Sequence, residues 1–128
     1  MRLLLDTNIA LWAITDDPKL GARATELISD PTNSVWVSVA NLWEIAVKHA
    51  VRPAEMPLSG SDARRYFDQS GYRMLTIDSS HVLRIEQLPR IHNDPFDRLL
   101  VAQAIEAGCH LLTRDGVLPR YSELVLAV

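Results

Sequence analysis

Apolar runs of strand length alternate with helix-length segments along the whole chain, and that order leaves few folds open. The runs are Arg2 to Leu5, Val35 to Val37, Tyr72 to Ile77, His110 to Thr113 and Leu124 to Val128. Between them, punctuation residues bracket helices. Asn8 can cap a helix from Ile9 to about Thr15, and Ala22 to Ser29 sets Ala24, Leu27 and Ile28 at helical spacing before Asp30-Pro31 ends it. Ser38 suits the cap of a third helix reaching about Val51, and Ser61 to Ser70 reads as a fourth. Asp78 and Ser79 cap a short helix through Ile85; Pro95 opens a long one that Gly108 stops after Ala107. Residues 18–21, 52–57 and 88–94 read as loops. Strand followed by helix, repeated, predicts an α/β fold with a parallel sheet covered by helices on both faces.

With 128 residues, one domain spanning residues 1–128 is expected. Hydrophobic residues make up 48% and charged residues 23%, too apolar a balance for disorder. The one cysteine, Cys109, can form neither an internal disulfide nor a thiolate metal site, which fits a reducing cytoplasm. Asp6 interrupts the first apolar residues well short of a signal-peptide core. No run approaches the length of about 20 apolar residues that spans a bilayer, so a soluble protein without membrane contact is expected.

Acids stand at the ends of these elements. Asp6 follows the first strand, Glu44 lies in Leu42-Trp43-Glu44-Ile45, Asp97 in Asp94-Pro95-Phe96-Asp97-Arg98 and Asp115 in Leu112-Thr113-Arg114-Asp115. An open α/β sheet gathers its ligands outside the carboxyl ends of its strands, so carboxylates from distant segments can meet there. If they meet, repulsion raises their pKa values unless a cation neutralises them, and oxygen-only donors select a hard ion such as Mg²⁺ or Mn²⁺. That combination points to metal-assisted phosphodiester chemistry.

Each acid also has a plainer role. Asp6 fits a strand-to-helix turn, Asp115-Gly116 fits a turn, and Glu44 can pair with Lys48 at i,i+4. Asp94 is a good N-cap, with Asp97 three residues on as a capping-box-like partner sharing its helix face. Glu44, however, sits among Leu42, Trp43, Ile45, Ala46 and Val47, where a carboxylate has little polar face to share. Ser38 and Thr113 stand at strand ends, able to hydrogen-bond a carboxylate or simply to cap. His49, His81, His92 and His110 lack paired ligand spacing and stay outside the metal site. Trp12, Trp36 and Trp43 read as core or subunit-contact residues.

Net charge is −3 with pI ≈ 5.7, which argues against a broad, non-specific grip on nucleic acid. Local basicity near the acids is still available from Lys48, Arg90, His92, Arg98 and Arg114, the candidate phosphate contacts.

At these residues the chain resembles the PIN-domain family, in particular the VapC-type toxin ribonucleases of toxin and antitoxin pairs. The likeness runs through Leu4-Leu5-Asp6-Thr7-Asn8, Ser38 to Lys48, His92 to Gln103 and Leu112 to Asp115. It implies a three-layer αβα sandwich with a central, mainly parallel sheet, and an acidic cleft binding Mg²⁺ or Mn²⁺. It implies metal ligation by Asp6, Glu44, Asp97 and Asp115, with Asp94 as a possible additional acid. Thr7, Asn8, Ser38 and Thr113 would orient those carboxylates. RNA as substrate, a homodimer and a cognate antitoxin follow from the same resemblance.

Two rivals remain. An Mg²⁺-dependent phosphatase forming an aspartyl-phosphate could also place Asp6 after the first strand, but position 8 is Asn where that scheme wants a second Asp. A catalytically silent PIN-like binding module would have no need of four intact acids.

Overall fold

The computed structural model describes residues 1–128. Strands β1 (Arg2–Leu5), β2 (Ser34–Ser38), β3 (Arg73–Leu75), β4 (His110–Thr113) and β5 (Val125–Ala127) form one sheet in the order β3-β2-β1-β4-β5. Every pairing in it is parallel. Six helices join the strands: α1 (Thr7–Ile14), α2 (Ala22–Ser29), α3 (Val39–Val51), α4 (Gly60–Gln69), α5 (Ser79–Arg84) and α6 (Pro95–Ala107). No helix is long and apolar enough to cross a membrane.

The centre of the sheet is why the first apolar run is continuous instead of alternating. Successive strand side chains point to opposite faces, and both faces of β1 are covered. Leu4 joins Leu99, Leu100, Val101 and Leu111 on one side, while Leu3 and Leu5 join Ile9, Ile45, Phe67 and Leu112 on the other. Each such leucine is fully buried and stabilises the fold by about 1.5–3 kcal/mol over an exposed one. Helix α6 supplies most of the helical side of the first core; α1, α3 and α4 supply that of the second. The αβα sandwich is the result.

Strand β1 pairs with β2 on one side and β4 on the other, so the connections leaving β1 and β4 diverge and open a crevice at their carboxyl ends. Since α6 runs back antiparallel to the strands, its first turn lies at that same end. Gly108, left-handed at φ 67°, lets the chain reverse from α6 into β4.

Some boundaries differ from the expectation. Helix α1 begins at Thr7 with Asp6 as its cap, so Asn8 lies inside the helix. The loop at 18–21 contains a 3₁₀ turn, Pro18–Leu20, and α5 continues as another, Ile85–Gln87. Strand β3 keeps only Arg73–Leu75 of Tyr72 to Ile77, because this edge strand finds partners only at Trp36 to Ser38. Of the tryptophans, Trp36 and Trp12 are partly buried and pack against the first and second cores, whereas Trp43 is 49% exposed.

Candidate active site

Asp6, Glu44, Asp94, Asp97 and Asp115 line a single cleft of about 150 Å³, with Thr7, Asn8, Lys48 and Arg114 completing its wall. It contains no hydrophobic residue. Two larger hollows of about 410 Å³ lie elsewhere, one of them adjoining through Asn8 and Lys48, but neither gathers carboxylates.

The sheet places the first acid. The Asp6 amide continues the β1–β4 ladder by donating to the Leu112 carbonyl at 2.9 Å. Asp6 then turns the chain into α1: Oδ1 accepts from the Thr7 amide at 2.8 Å, and Oδ2 accepts from the Thr113 hydroxyl at 2.7 Å. The Thr113 oxygen in turn accepts from the Asp115 amide at 3.0 Å, so one hydroxyl links the acids that end β1 and β4. Asp115 closes its turn by accepting the Val117 amide at Oδ1, 2.8 Å away, leaving Oδ2 toward the cleft.

Helix α3 carries Glu44 inward, where only 6% of the residue is exposed. Its Oε1 accepts from the Thr7 hydroxyl at 2.7 Å and its Oε2 pairs with Lys48 Nζ at 2.5 Å, so buried carboxylate and i,i+4 ion pair are both present. The Thr7 oxygen accepts from the Asn41 amide at 3.0 Å, and Asn41 also donates to the Leu5 carbonyl at 3.1 Å. Asn41 therefore ties Glu44 to the end of β1. The Ser38-x-x-Asn41 spacing, which the motifs around Glu44 do not draw attention to, is that of a capping box, and α3 does form one.

Helix α6 contributes Asp94 and Asp97. Asp94 caps the helix by accepting the Phe96 and Asp97 amides at 2.8 and 3.2 Å, and it lines the cleft as well. The Trp43 and Phe96 rings meet edge to face with centroids 4.7 Å apart, fixing the first turn of α6 against the Glu44 face of α3.

Three residues sit otherwise than expected. Ser38 orients no carboxylate; its hydroxyl accepts the Ala40 amide and donates to Gln103 in the buried interior. Asn8 lines the cleft with no hydrogen bond to any of the acids. Outside the metal site on spacing grounds, His92 in fact reaches into the cluster: its Nε2 is 3.1 Å from Asp115 Oδ2 and 3.7 Å from Asp97 Oδ2. No periodicity marks a contact made by a loop across space.

Among the basic residues, Lys48 is held by Glu44, while Arg114 bonds the Lys19 and Leu20 carbonyls and lies 5.5 Å from the Trp12 ring. Arg98 bonds the Pro89 carbonyl and the Tyr121 hydroxyl. Arg90, His92, Asn93 and Arg98 line a separate hollow of about 240 Å³.

Crowding is visible in the electrostatics. Burial first, then the carboxylates of Asp6, Asp94, Glu44 and Asp115, push Asp97 up to about 8. Burial raises Asp6 too, against the lowering effect of its bonds from Thr113 and Thr7. Glu44 holds Lys48 protonated, raising its pKa. A negative, oxygen-lined cleft of this kind fits a hard divalent cation.

The PIN domain model matches residues 3–124. The chain belongs to the PIN-domain family. Solved PIN-domain-like structures share the architecture: a chain of VapBC2 from Rickettsia felis bound to a DNA fragment from their promoter superposes with a TM-score of 0.71, at 17% identity over 100% of this chain and 99% of that one. A chain of a toxin-antitoxin complex from Klebsiella pneumoniae gives 0.63, at 19% identity over 98% and 96%. At these identities the likeness is one of fold. No curated protein matches the sequence.

Proposed function

We propose that this PIN domain is a metal-dependent endoribonuclease, the toxin of a toxin-antitoxin pair acting in a reducing cytoplasm. The observation that carries the reading is the convergence of five carboxylates from β1, α3, α6 and the β4 turn on one hydrophilic cleft. Kinship of fold with chains of toxin-antitoxin complexes supports the biological half. Asp6 and Asp97 would hold Mg²⁺ or Mn²⁺, with Glu44 and Asp115 joining directly or through water, and Asp94 bordering the site.

The chemistry a divalent cation would supply there is an activated water and neutralisation of the charge developing on the leaving oxygen. The protein supplies orientation. Thr113 and the Thr7 amide fix the two oxygens of Asp6, Thr7 and Lys48 fix those of Glu44, and no side-chain nucleophile is required. Lys48 keeps its proton in this acidic setting and offers a positive group at the cleft rim for a phosphate oxygen.

An antitoxin and a second copy of the chain are the proposed protein partners. Trp43, Val47 and Val51 leave an apolar stripe exposed along α3 beside the cleft, a surface suited to burial against protein. The deciding experiment combines two measurements: cleavage of a generic RNA with and without EDTA, and rescue of growth arrest by the neighbouring gene product. RNA cleavage that persists in chelator would sink the metal mechanism. Release of phosphate from small phosphomonoesters, without RNA cleavage, would favour the phosphatase.

A further inference from the structure

We infer that His92 is a positioning residue for Asp115 and Asp97, clamped by the Asp94 backbone and by Tyr121, and is not itself a metal ligand. The inference rests on the ribonuclease reading only for its meaning, since the clamp is a matter of geometry. His92 Nδ1 accepts the Asp94 amide hydrogen at 3.0 Å. A neutral imidazole that accepts at one nitrogen carries its proton on the other. Nε2–H is therefore a donor, aimed at Asp115 Oδ2 3.1 Å away with Asp97 Oδ2 next at 3.7 Å. A nitrogen that bears a proton has no lone pair for a cation, although its distances to the two acids resemble those of a three-ligand cluster.

The same bond settles a competition. Asp97 stands at the third position of α6, where an acid ordinarily reaches back to the cap residue's amide. Here His92 has taken that amide, so Asp97 is left facing the cleft. The loop that presents His92 is itself fixed: the His92 amide donates to the Tyr121 oxygen at 2.8 Å, and Tyr121 returns a bond to the His92 carbonyl at 3.3 Å. Arg98 completes the brace by donating to the Tyr121 oxygen at 3.1 Å. Tyr121 has no helical or strand spacing to announce it.

The test uses metal-free protein first. Long-range proton–nitrogen spectra should show the Nε2–H tautomer for His92. Mn²⁺ titration by calorimetry should then weaken roughly 10–100-fold in His92→Ala and recover in His92→Gln, whose amide donor reaches where Nε2–H does. Tyr121→Phe should fall between. Pulsed electron paramagnetic resonance of Mn²⁺-loaded protein should show no imidazole nitrogen coupling. An Nδ1–H tautomer, a nitrogen coupling that His92→Gln removes, or Mn²⁺ affinity indifferent to His92→Ala would overturn the inference. If wild-type protein binds no Mn²⁺, the metal reading fails while the tautomer still decides this one; if His92→Ala does not fold, the tautomer and His92→Gln carry the test.

Discussion

The two walls of the cleft are built on different plans. On the β1 and α3 wall, every oxygen of Asp6 and Glu44 already has a donor, from Thr7, Thr113 or Lys48. On the α6 wall, Asp97 has no such donor; the ring of His92 stands 3.7 Å from its Oδ2. Asp97 is correspondingly the carboxylate driven up to about 8. Hydrogen bonds orient the carboxylates on one side before any cation arrives, whereas the other side holds an acid that keeps its proton up to about pH 8 unless a cation displaces it. The first wall is a hydrogen-bonded template; the second is not.

Removing either acid should produce the largest effect. Asp6→Asn and Asp97→Asn should each abolish RNA cleavage with the fold retained, and EDTA should do the same until Mg²⁺ or Mn²⁺ is returned. Ca²⁺, with longer bonds and looser geometry, should not restore turnover. The walls then separate in chelator above pH 8, where Asp97 loses its proton: Asp97→Asn should raise the melting temperature, because a charge the fold disfavours is gone, while Asp6→Asn, whose hydrogen bonds offset part of its burial, should change it less. Equal shifts in the two variants would erase the distinction between the walls.

Next come the hydroxyls of the template wall. Thr113→Val and Thr7→Val should each lower cleavage by roughly 10–100-fold, as loss of a partner that orients a ligand does. Thr113→Val should be the worse of the two, since it also strands the Asp115 amide. Activity at the wild-type rate in both would show that the hydroxyls merely cap.

A smaller effect concerns pH. The folded-state pKa of Asp97, about 8, lies far above the ordinary range of an aspartate, so the fold favours its protonated form. That contribution is complete below the unfolded value and is lost as pH rises through about 8. Metal-free protein should accordingly melt lower at pH 8 than at pH 5, Asp97→Asn should flatten the dependence, and Mn²⁺ should raise the melting temperature most at pH 8. The smallest expected change is in Asp94→Ala, which should cost on the order of 1 kcal/mol in stability, with part of the cleavage surviving. Urea denaturation checks the first figure; complete loss of cleavage without destabilisation would make Asp94 a ligand.

The sequence carried the fold wherever punctuation was strong. Helices α2 and α6 begin and end where the Pro and Gly residues say they should, and α3 runs from its Ser38 cap to Val51. It failed at Asn8 because Asp6 already caps α1 while facing the cleft, and a residue with two roles hides one of them. The acids could be placed because sheet topology converts strand ends into neighbours. The donors Asn41, His92 and Tyr121 could not, since each acts through a side chain crossing between elements and leaves no periodic trace.

The parallel sheet has a consequence for the timing of synthesis. Leu3 to Leu5 pair with His110 to Leu112, so the strand made first waits for a partner made more than 100 residues later. Such long-range pairing is slow to form. Until it forms, Asp6 lacks the hydroxyl of Thr113. A chain that stops between residues 98 and 109 thus contains Asp6, Glu44 and Asp97 but lacks Thr113 and Asp115, and so has no assembled cleft.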